Sequence, residues 1–247
     1  MAKALRTWVE DEVAPLAGKS TAWLAQFHFF RDPHRPRFVD PTHFFSPADG
    51  VIVYQRVVEP DEPLVEIKGG AYTLRQALRA PRYPHRSLVI GVFMTFYDVH
   101  VNRVPYPGSL SYRRLDALDT RNRPMLDVEN DLLELLRVDL SRTDYLRRNQ
   151  RVVNRVVSPR LRLPYYVLQV ADHAVDCILP FDLAQNVPRR QGDRFSQIRY
   201  GSQVDLVIPL SPGLELEPVQ RVTDHVQAGI DPLVRVHGLD PTTRRSA

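Results

Sequence analysis

The sequence predicts an α+β, predominantly β fold: a single strand-rich domain with short N-terminal helices and a helical insertion. Short segments that are alternating or continuously apolar recur from Gly50 to Ile208. Prolines outnumber glycines 21 to 11, a balance suited to loops and strand ends rather than a helical bundle. With 247 residues, 43% of them apolar, the chain can bury one sizeable core.

Residues 3–18 have helical spacing, with Leu5, Trp8, Val9 and Val13 on one side and Pro15 placed to end or kink the helix. Ser20-Thr21 can cap a second helix, Ala22–Phe30, whose apolar residues are Trp23, Leu24, Phe27 and Phe30. Arg31, His34, Arg35 and Arg37 follow. Aromatic residues beside cations suit a bilayer interface, and a helix packed on its own domain or on a partner reads the same way. Residues 1–37 form this helical lead.

Strands are expected at Gly50–Arg56, Leu64–Ile67 and Leu88–Thr95, the last a nearly continuous apolar run fit for the sheet centre. Thr73–Arg79 has room for one or two helical turns. Pro105-Tyr106-Pro107-Gly108 turns into a strand at Ser109–Arg113. Within 114–148, Val128, Leu132, Leu135 and Leu136 recur at helical spacing, with Glu129, Asp131 and Glu134 opposite and Asp127 as a cap. That helix serves access or dimer contact, as in a homo-oligomer, or simply shields the sheet. Arg147, Arg148, Arg151, Arg155, Arg160 and Arg162 read as a solvated basic face. Val152–Val157, Tyr165–Val170, Ala174–Leu179 and Arg199–Ile208 complete the strands. In the C-terminal extension, 210–247, Val219–Val226 has amphipathic helical spacing.

The net charge is +4, which suits attraction to an anionic membrane surface, and nucleic-acid motifs are absent. The single cysteine, Cys177, leaves no internal disulfide, favours a reducing, cytoplasmic setting, and reads as a small buried hydrophobe. No window approaches the ~20 apolar residues of a spanning helix and no signal peptide is visible, so membrane association is expected to be peripheral. The His and Cys spacing offers no zinc site, and no metal is expected.

The chemistry centres on Gln197–Pro209, a strand, a Gly201-Ser202 break and a second strand. Glycine without a Cβ permits strained backbone and close approach. The serine hydroxyl can attack the Gly201 carbonyl. The N→O shift makes an ester, and β-elimination then cuts the chain and leaves a pyruvoyl group at position 202. Taken alone, Gly-Ser between strands is an ordinary turn.

Three further segments change that reading: Phe45-Ser46-Pro47-Ala48-Asp49-Gly50, Lys68-Gly69-Gly70-Ala71-Tyr72-Thr73-Leu74, and Phe96-Tyr97-Asp98-Val99-His100-Val101-Asn102-Arg103-Val104-Pro105. With Gly192–Pro209 they form four ordered blocks, joined by Phe29-Phe30-Arg31-Asp32-Pro33 and Asn149-Gln150-Arg151. Over roughly 27–112 and 149–209 the chain resembles the phosphatidylserine decarboxylase family, most closely its short, archaeal-like branch. The resemblance implies a decarboxylase-like domain at 38–209, with 114–148 as its least familial part.

It also implies pyruvoyl-dependent conversion of phosphatidylserine, or a close serine-headgroup lipid, to the ethanolamine form. Cleavage at Gly201-Ser202 would give fragments 1–201 and 202–247. The pyruvoyl carbonyl condenses with a substrate amine and draws charge from Cα, so no separate cofactor is needed. Asp49 matches the aspartate of a family triad with histidine and the cleaved serine, and an Asp-Gly turn is its other use. His100 matches the first histidine of His-x-x-His. The second is Arg103 here, and arginine cannot act as a base near neutral pH. His100 is thus the expected base, oriented by Asp98 or Asp49, with His173 as a substitute. Arg103 suits a substrate carboxylate or phosphate, or an ion pair. Lys68 and Tyr72 match a block placed to meet substrate, where a strand-end lysine is equally ordinary. Gln150 and Gln191 stand where the family has glutamate and lysine. Two other readings stay open: a decarboxylase of a soluble amino acid derivative, and an uncleaved membrane-binding homologue.

Overall fold

The computed structural model describes residues 1–67, 70–118, 122–172, 176–199 and 201–238. Strands hold 38% of the residues against 15% in helices, so the fold is α+β and predominantly β, as the patterning predicts. In chain order the strands are β1 (Lys3–Ala4), β2 (His43–Phe45), β3 (Gly50–Val58), β4 (Pro63–Ile67), β5 (Gly70–Thr73) and β6 (Ser87–Met94). Next come β7 (Val101–Arg103), β8 (Gly108–Leu115), β9 (Arg151–Val157), β10 (Tyr165–Ala171), β11 (Ile178–Pro180) and β12 (Val187–Arg189). The last are β13 (Arg194–Ile198), β14 (Ser202–Pro209), β15 (Glu215–Pro218), β16 (Asp224–Val226) and β17 (Pro232–His237). The α-helical pieces are α1 (Leu5–Trp8), α2 (Thr21–Trp23), α3 (Leu74–Leu78), α4 (Leu126–Leu133) and α5 (Tyr145–Arg148). π- and 3-10 turns extend α1 to Leu16, and a π-turn extends α2 to His28.

A nine-stranded antiparallel sheet, ordered β1-β16-β3-β6-β14-β10-β9-β8-β12, divides the molecule. Every residue of β6 and β14 is buried, which is why β6 reads as an apolar run and β14 becomes one after Asp205. Side chains alternate between two cores. One face carries Phe93, Val153 and Val207, and packs on Trp8, Leu74, Leu132 and Tyr145 from the helices. The other carries Met94, Ala171 and Leu206, and packs on Phe44, Ile198 and Val234 from two three-stranded sheets, β15-β17-β2 and β11-β13-β7. Full burial of one such aliphatic side chain is worth ~1.5–3 kcal/mol, so both cores hold the central strands in register.

Several local expectations hold. Ser20 Oγ accepts the Trp23 N–H at 3.2 Å, and a Thr73–Gln76 capping box opens α3. Cys177 is buried in the second core, and burial pushes its thiol up to about 11. Others change. Val219–Val226 is not helical. Its end is strand β16, bonded between β1 and β3, because pairing at the sheet edge overrides a short helical spacing. Asp127 lies in the first turn of α4 rather than at its cap, which is Met125. Arg151 is 2% exposed, so the basic run is not wholly a solvated face.

Candidate functional site

Ser202 opens β14, paired with Met94 of β6 on one side and Ala171 of β10 on the other. Strand alternation sends Gln203 into the helix-covered core, where it bonds Tyr54 and Tyr145, and Ser202 to the opposite face. The Ser202 hydroxyl is fully buried and lies 3.2 Å from Met94 Sδ, a weak acceptor. The same sulfur receives Asn102 Nδ2 at 3.7 Å, and Asn102 leads through Gln169 to Asn154. An unsolvated hydroxyl whose sole partner among the described residues is a thioether gives up little hydrogen bonding when it attacks a neighbouring carbonyl.

Gly201 is not in the left-handed region; what favours glycine there is crowding by a side chain. A Cβ there would sit 3.0 Å from Asp172 Oδ2. Asp172 is fixed in turn, its Oδ1 accepting the Met125 N–H at 2.9 Å and its carbonyl accepting Asn122 Nδ2 at 2.7 Å. A carboxylate is thereby pressed against the residue whose carbonyl the serine would attack.

His100 is tied by its main chain to the strand that leads into the Gly-Ser pair. Its carbonyl accepts the Ile198 N–H at the end of β13, and its loop leaves β6 just after Met94. The imidazole is fully buried and stacked on Phe29, ring centres 3.8 Å apart. Nδ1 donates to the Asp98 carbonyl at 3.0 Å, because a carbonyl can only accept. Nε2 therefore carries the lone pair, and it has no partner among the described residues. Burial lowers the pKa to about 4, so the ring is neutral in ordinary buffers.

The orienting group differs from the expectation. His100 is held by the main chain of Asp98, not by the carboxylate of Asp98 or Asp49. The Asp98 carboxylate accepts Thr95 N–H and Oγ1 at 2.7 and 2.8 Å, and His225 Nε2 at 2.6 Å. Burial opposes its ionisation, but His225 and the Thr95 donors outweigh burial and hold its pKa below the usual value. His225 is itself buried and stacked on Trp8 at 4.2 Å. Nearby, Glu129 of α4 accepts the Phe96 N–H at 2.9 Å, and burial, with Asp98 and Asp172 close by, raises it to about 8. The 114–148 segment thus reaches the loop that carries His100.

Among the described residues, Asp49 meets no histidine. Arg35 grips it bidentately, 2.6 Å at each oxygen, and the Ala228 N–H adds a third bond. Arg103 turns inward, donating to Asp32 at 3.0 Å and to the Gly192 carbonyl at 3.1 Å, with Arg194 on the other Asp32 oxygen. With arginine in place of a second histidine, Asp49 and Arg103 each take an opposite charge from the N-terminal lead. Tyr72 is fully buried in the helix-side core, on the face opposite Ser202, and so cannot touch a substrate there. Lys68 and His173 lie outside the described residues.

The two glutamines have structural work. Gln150 both accepts from and donates to Asp176, at 2.7 and 3.2 Å, where a glutamate would face a second carboxylate. Gln191 links Asp40, His43 and Pro105, which a lysine, having no acceptor, could not do. His225, Asp172, Glu129 and Arg35 were missed as site residues. Each lies in a stretch with a legible pattern: Asp172 beside His173, Arg35 in the basic cluster, Glu129 on the polar side of the 114–148 helix and His225 within Val219–Val226.

The site thus gathers a buried serine opening a central strand, a glycine crowded by a carboxylate and a neutral histidine whose Nε2 has no partner among the described residues. The family model for phosphatidylserine decarboxylase matches residues 24–232, and the chain belongs to that family. It is 29% identical over 196 residues to a phosphatidylserine decarboxylase proenzyme of Cereibacter sphaeroides, covering 76% of this chain and 66% of the relative. It is 29% identical over 208 residues to a protein of Methanopyrus kandleri named a provisional archaetidylserine decarboxylase proenzyme, covering 84% and 80%. A protein of Methanothermobacter thermautotrophicus with the same name is 31% identical over 186 residues, covering 73% and 69%. The chain thus spans about two thirds to four fifths of the length of these relatives.

Proposed function

We propose that this protein is a pyruvoyl-dependent decarboxylase of a serine-headgroup phospholipid, matured by cleavage at Gly201-Ser202. The observation that carries this reading is the placement of Ser202 at the first position of a strand bonded on both sides. Ser202 Oγ attacks the Gly201 carbonyl, its proton passes to a base, and the ester replaces the amide. Loss of the Ser202 Cα proton expels the Gly201 carboxylate, and water then releases the new terminal nitrogen as ammonia. His100 Nε2, neutral and unpartnered, is the base this geometry favours.

The residues present fit a pyruvoyl group. β14 pairs with β6 and β10, β16 with β3 and β17 with β2, so fragment 202–247 stays stitched to 1–201 after cleavage. When present, that group would act as the electron sink for decarboxylation. The rest of the chain would hold it in place and exclude water.

For the lipid, support comes from the N-terminal lead. Phe27 is 61% exposed and Phe30 42%, and Phe38, Val39, His34 and Arg37, close in sequence, also lie at the surface. Such a stretch suits a peripheral stance on an anionic cytoplasmic membrane. No helix among the described residues is long and apolar enough to cross a membrane. Assay of carbon dioxide release tests the substrate class. Turnover of phosphatidylserine vesicles is expected, and turnover of water-soluble serine phosphodiesters alone would replace the lipid with a small substrate.

A further inference from the structure

Away from Ser202, Arg79, Arg113 and Arg151 gather round the C-terminal end of α3 without acid partners among the described residues. Arg151 opens β9 and donates Nη1 to the carbonyls of Gln76 and Ala77, at 3.2 Å each, and Nη2 to that of Arg147 at 3.3 Å. Arg113 donates to the Leu78 carbonyl at 2.7 Å. Arg79 ends α3 at φ 42° and donates to the Asp116 carbonyl at 2.5 Å. Every one of these acceptors is a neutral carbonyl.

Among the described residues, neither Arg79, Arg113 nor Arg151 forms an ion pair with a carboxylate. Arg137 and Arg142, in the neighbouring insertion, do so with Asp131 at 2.9 and 2.6 Å, so the lack is local. Arg151 is almost wholly buried and its Nε has no partner among the described residues. The crowding of like charges registers on Arg79, whose pKa is lowered by burial and by Arg151 and Arg113, against an opposing pull from Asp116.

These groups frame a cavity of about 250 Å³ lined by Gln76, Arg79, Leu118, Arg147 and Arg151. At about 30 Å³ per water, it has room for a phosphate group with several waters. Planar guanidinium forks suit a tetrahedral oxyanion, and burying like charges together costs least when an anion sits between them. Exposed Leu118 at the rim leaves space for an organic substituent.

We propose that this cavity binds a phosphate group, either of a soluble phosphate or of a lipid headgroup. It is separate from the Ser202 site. Arg151 is in register with Val170, and Val170 with Gln203, so the cavity lies two strands from Gln203 on the helix-covered face. The proposal does not depend on the decarboxylase reading.

Calorimetric titration of the full chain with inorganic phosphate at constant ionic strength tests it. The wild type is expected to bind saturably with a Kd on the order of 1 mM or tighter. Arg79→Gln and Arg147→Gln should each weaken binding roughly tenfold, and exposed Arg155→Gln should not change it. Using two cavity variants keeps the test open if one misfolds. Phosphatidic acid vesicles that displace phosphate from the wild type would make a lipid headgroup the ligand, and failure to displace it would make the ligand a soluble phosphate. Absence of saturable phosphate binding, or equal binding by wild type and folded cavity variants, would overturn the proposal.

Discussion

Asp98 Oδ1 and His225 Nε2 lie 2.6 Å apart, although 127 residues separate them in sequence. The bond joins the loop that carries His100 to strand β16 near the C-terminus. Both partners are buried, so removing His225 leaves Asp98 Oδ1 unpaired while Oδ2 keeps its two Thr95 donors. His225→Ala should lower stability by about 3–5 kcal/mol, measured by urea unfolding. A loss below about 1 kcal/mol would mean that the pair contributes no more than a surface contact.

The Asp98 main chain, by contrast, sets the tautomer of His100. With its pKa near 4, His100 keeps a free lone pair on Nε2 throughout neutral and mildly alkaline conditions. His100→Ala should slow self-cleavage, followed by quenched gel time courses of fresh protein. In the wild type, the rate should be flat from about pH 6 upward and fall as pH approaches 4. Processing of His100→Ala at the wild-type rate would move the base role elsewhere, His173 first.

Gly201 faces Asp172 Oδ2 with room for a hydrogen but little more. Gly201→Ala should retard cleavage, since the new methyl must push the scissile residue or the carboxylate aside. Asp172→Ala in the same chain should recover part of the rate by vacating that space. If Gly201→Ala cleaves normally, crowding at this position does not set the geometry of attack.

Three buried groups shape stability against pH. Burial raises Glu129 from an ordinary 4.5 to about 8 and Asp205 from 3.8 to about 6, so each ionises less readily folded than unfolded. Their contributions are full below the unfolded values and are lost as pH rises to the folded ones. His100, lowered from 6.5 to about 4, costs stability in the other direction, as pH falls between those values. Between about pH 6.5 and 8 only Glu129 of the three still titrates. Stability should therefore decline there by at most roughly 1.4 kcal/mol per pH unit. Glu129→Gln keeps an acceptor for the Phe96 N–H and should remove the decline in chemical unfolding. Identical pH profiles for variant and wild type would exclude Glu129 as its source.

What could be read from the sequence was whatever lies along one strand or one block. Leu88–Met94 was visible as the sheet centre because burial on both faces leaves only apolar residues. The Gly201-Ser202 junction was visible because its neighbours on both sides alternate as strands. Contacts across the fold were not. Asp98 and Asp49 carry the expected side chains, but their partners, His225 and Arg35, are chosen by sheet order and by how the N-terminal lead drapes over it. The tail at 219–226 misled because a few residues at helical spacing cannot show that an open sheet edge awaits them.

The central claim is that the Gly201-Ser202 peptide bond breaks itself, and intact-mass spectrometry of freshly purified protein tests it most directly. Wild type is expected to resolve into fragments 1–201 and 202–247, the smaller one reacting with a carbonyl-directed label. Ser202→Ala should remain a single unlabelled chain without decarboxylase activity. A wild-type chain that stays whole and unlabelled would contradict the account.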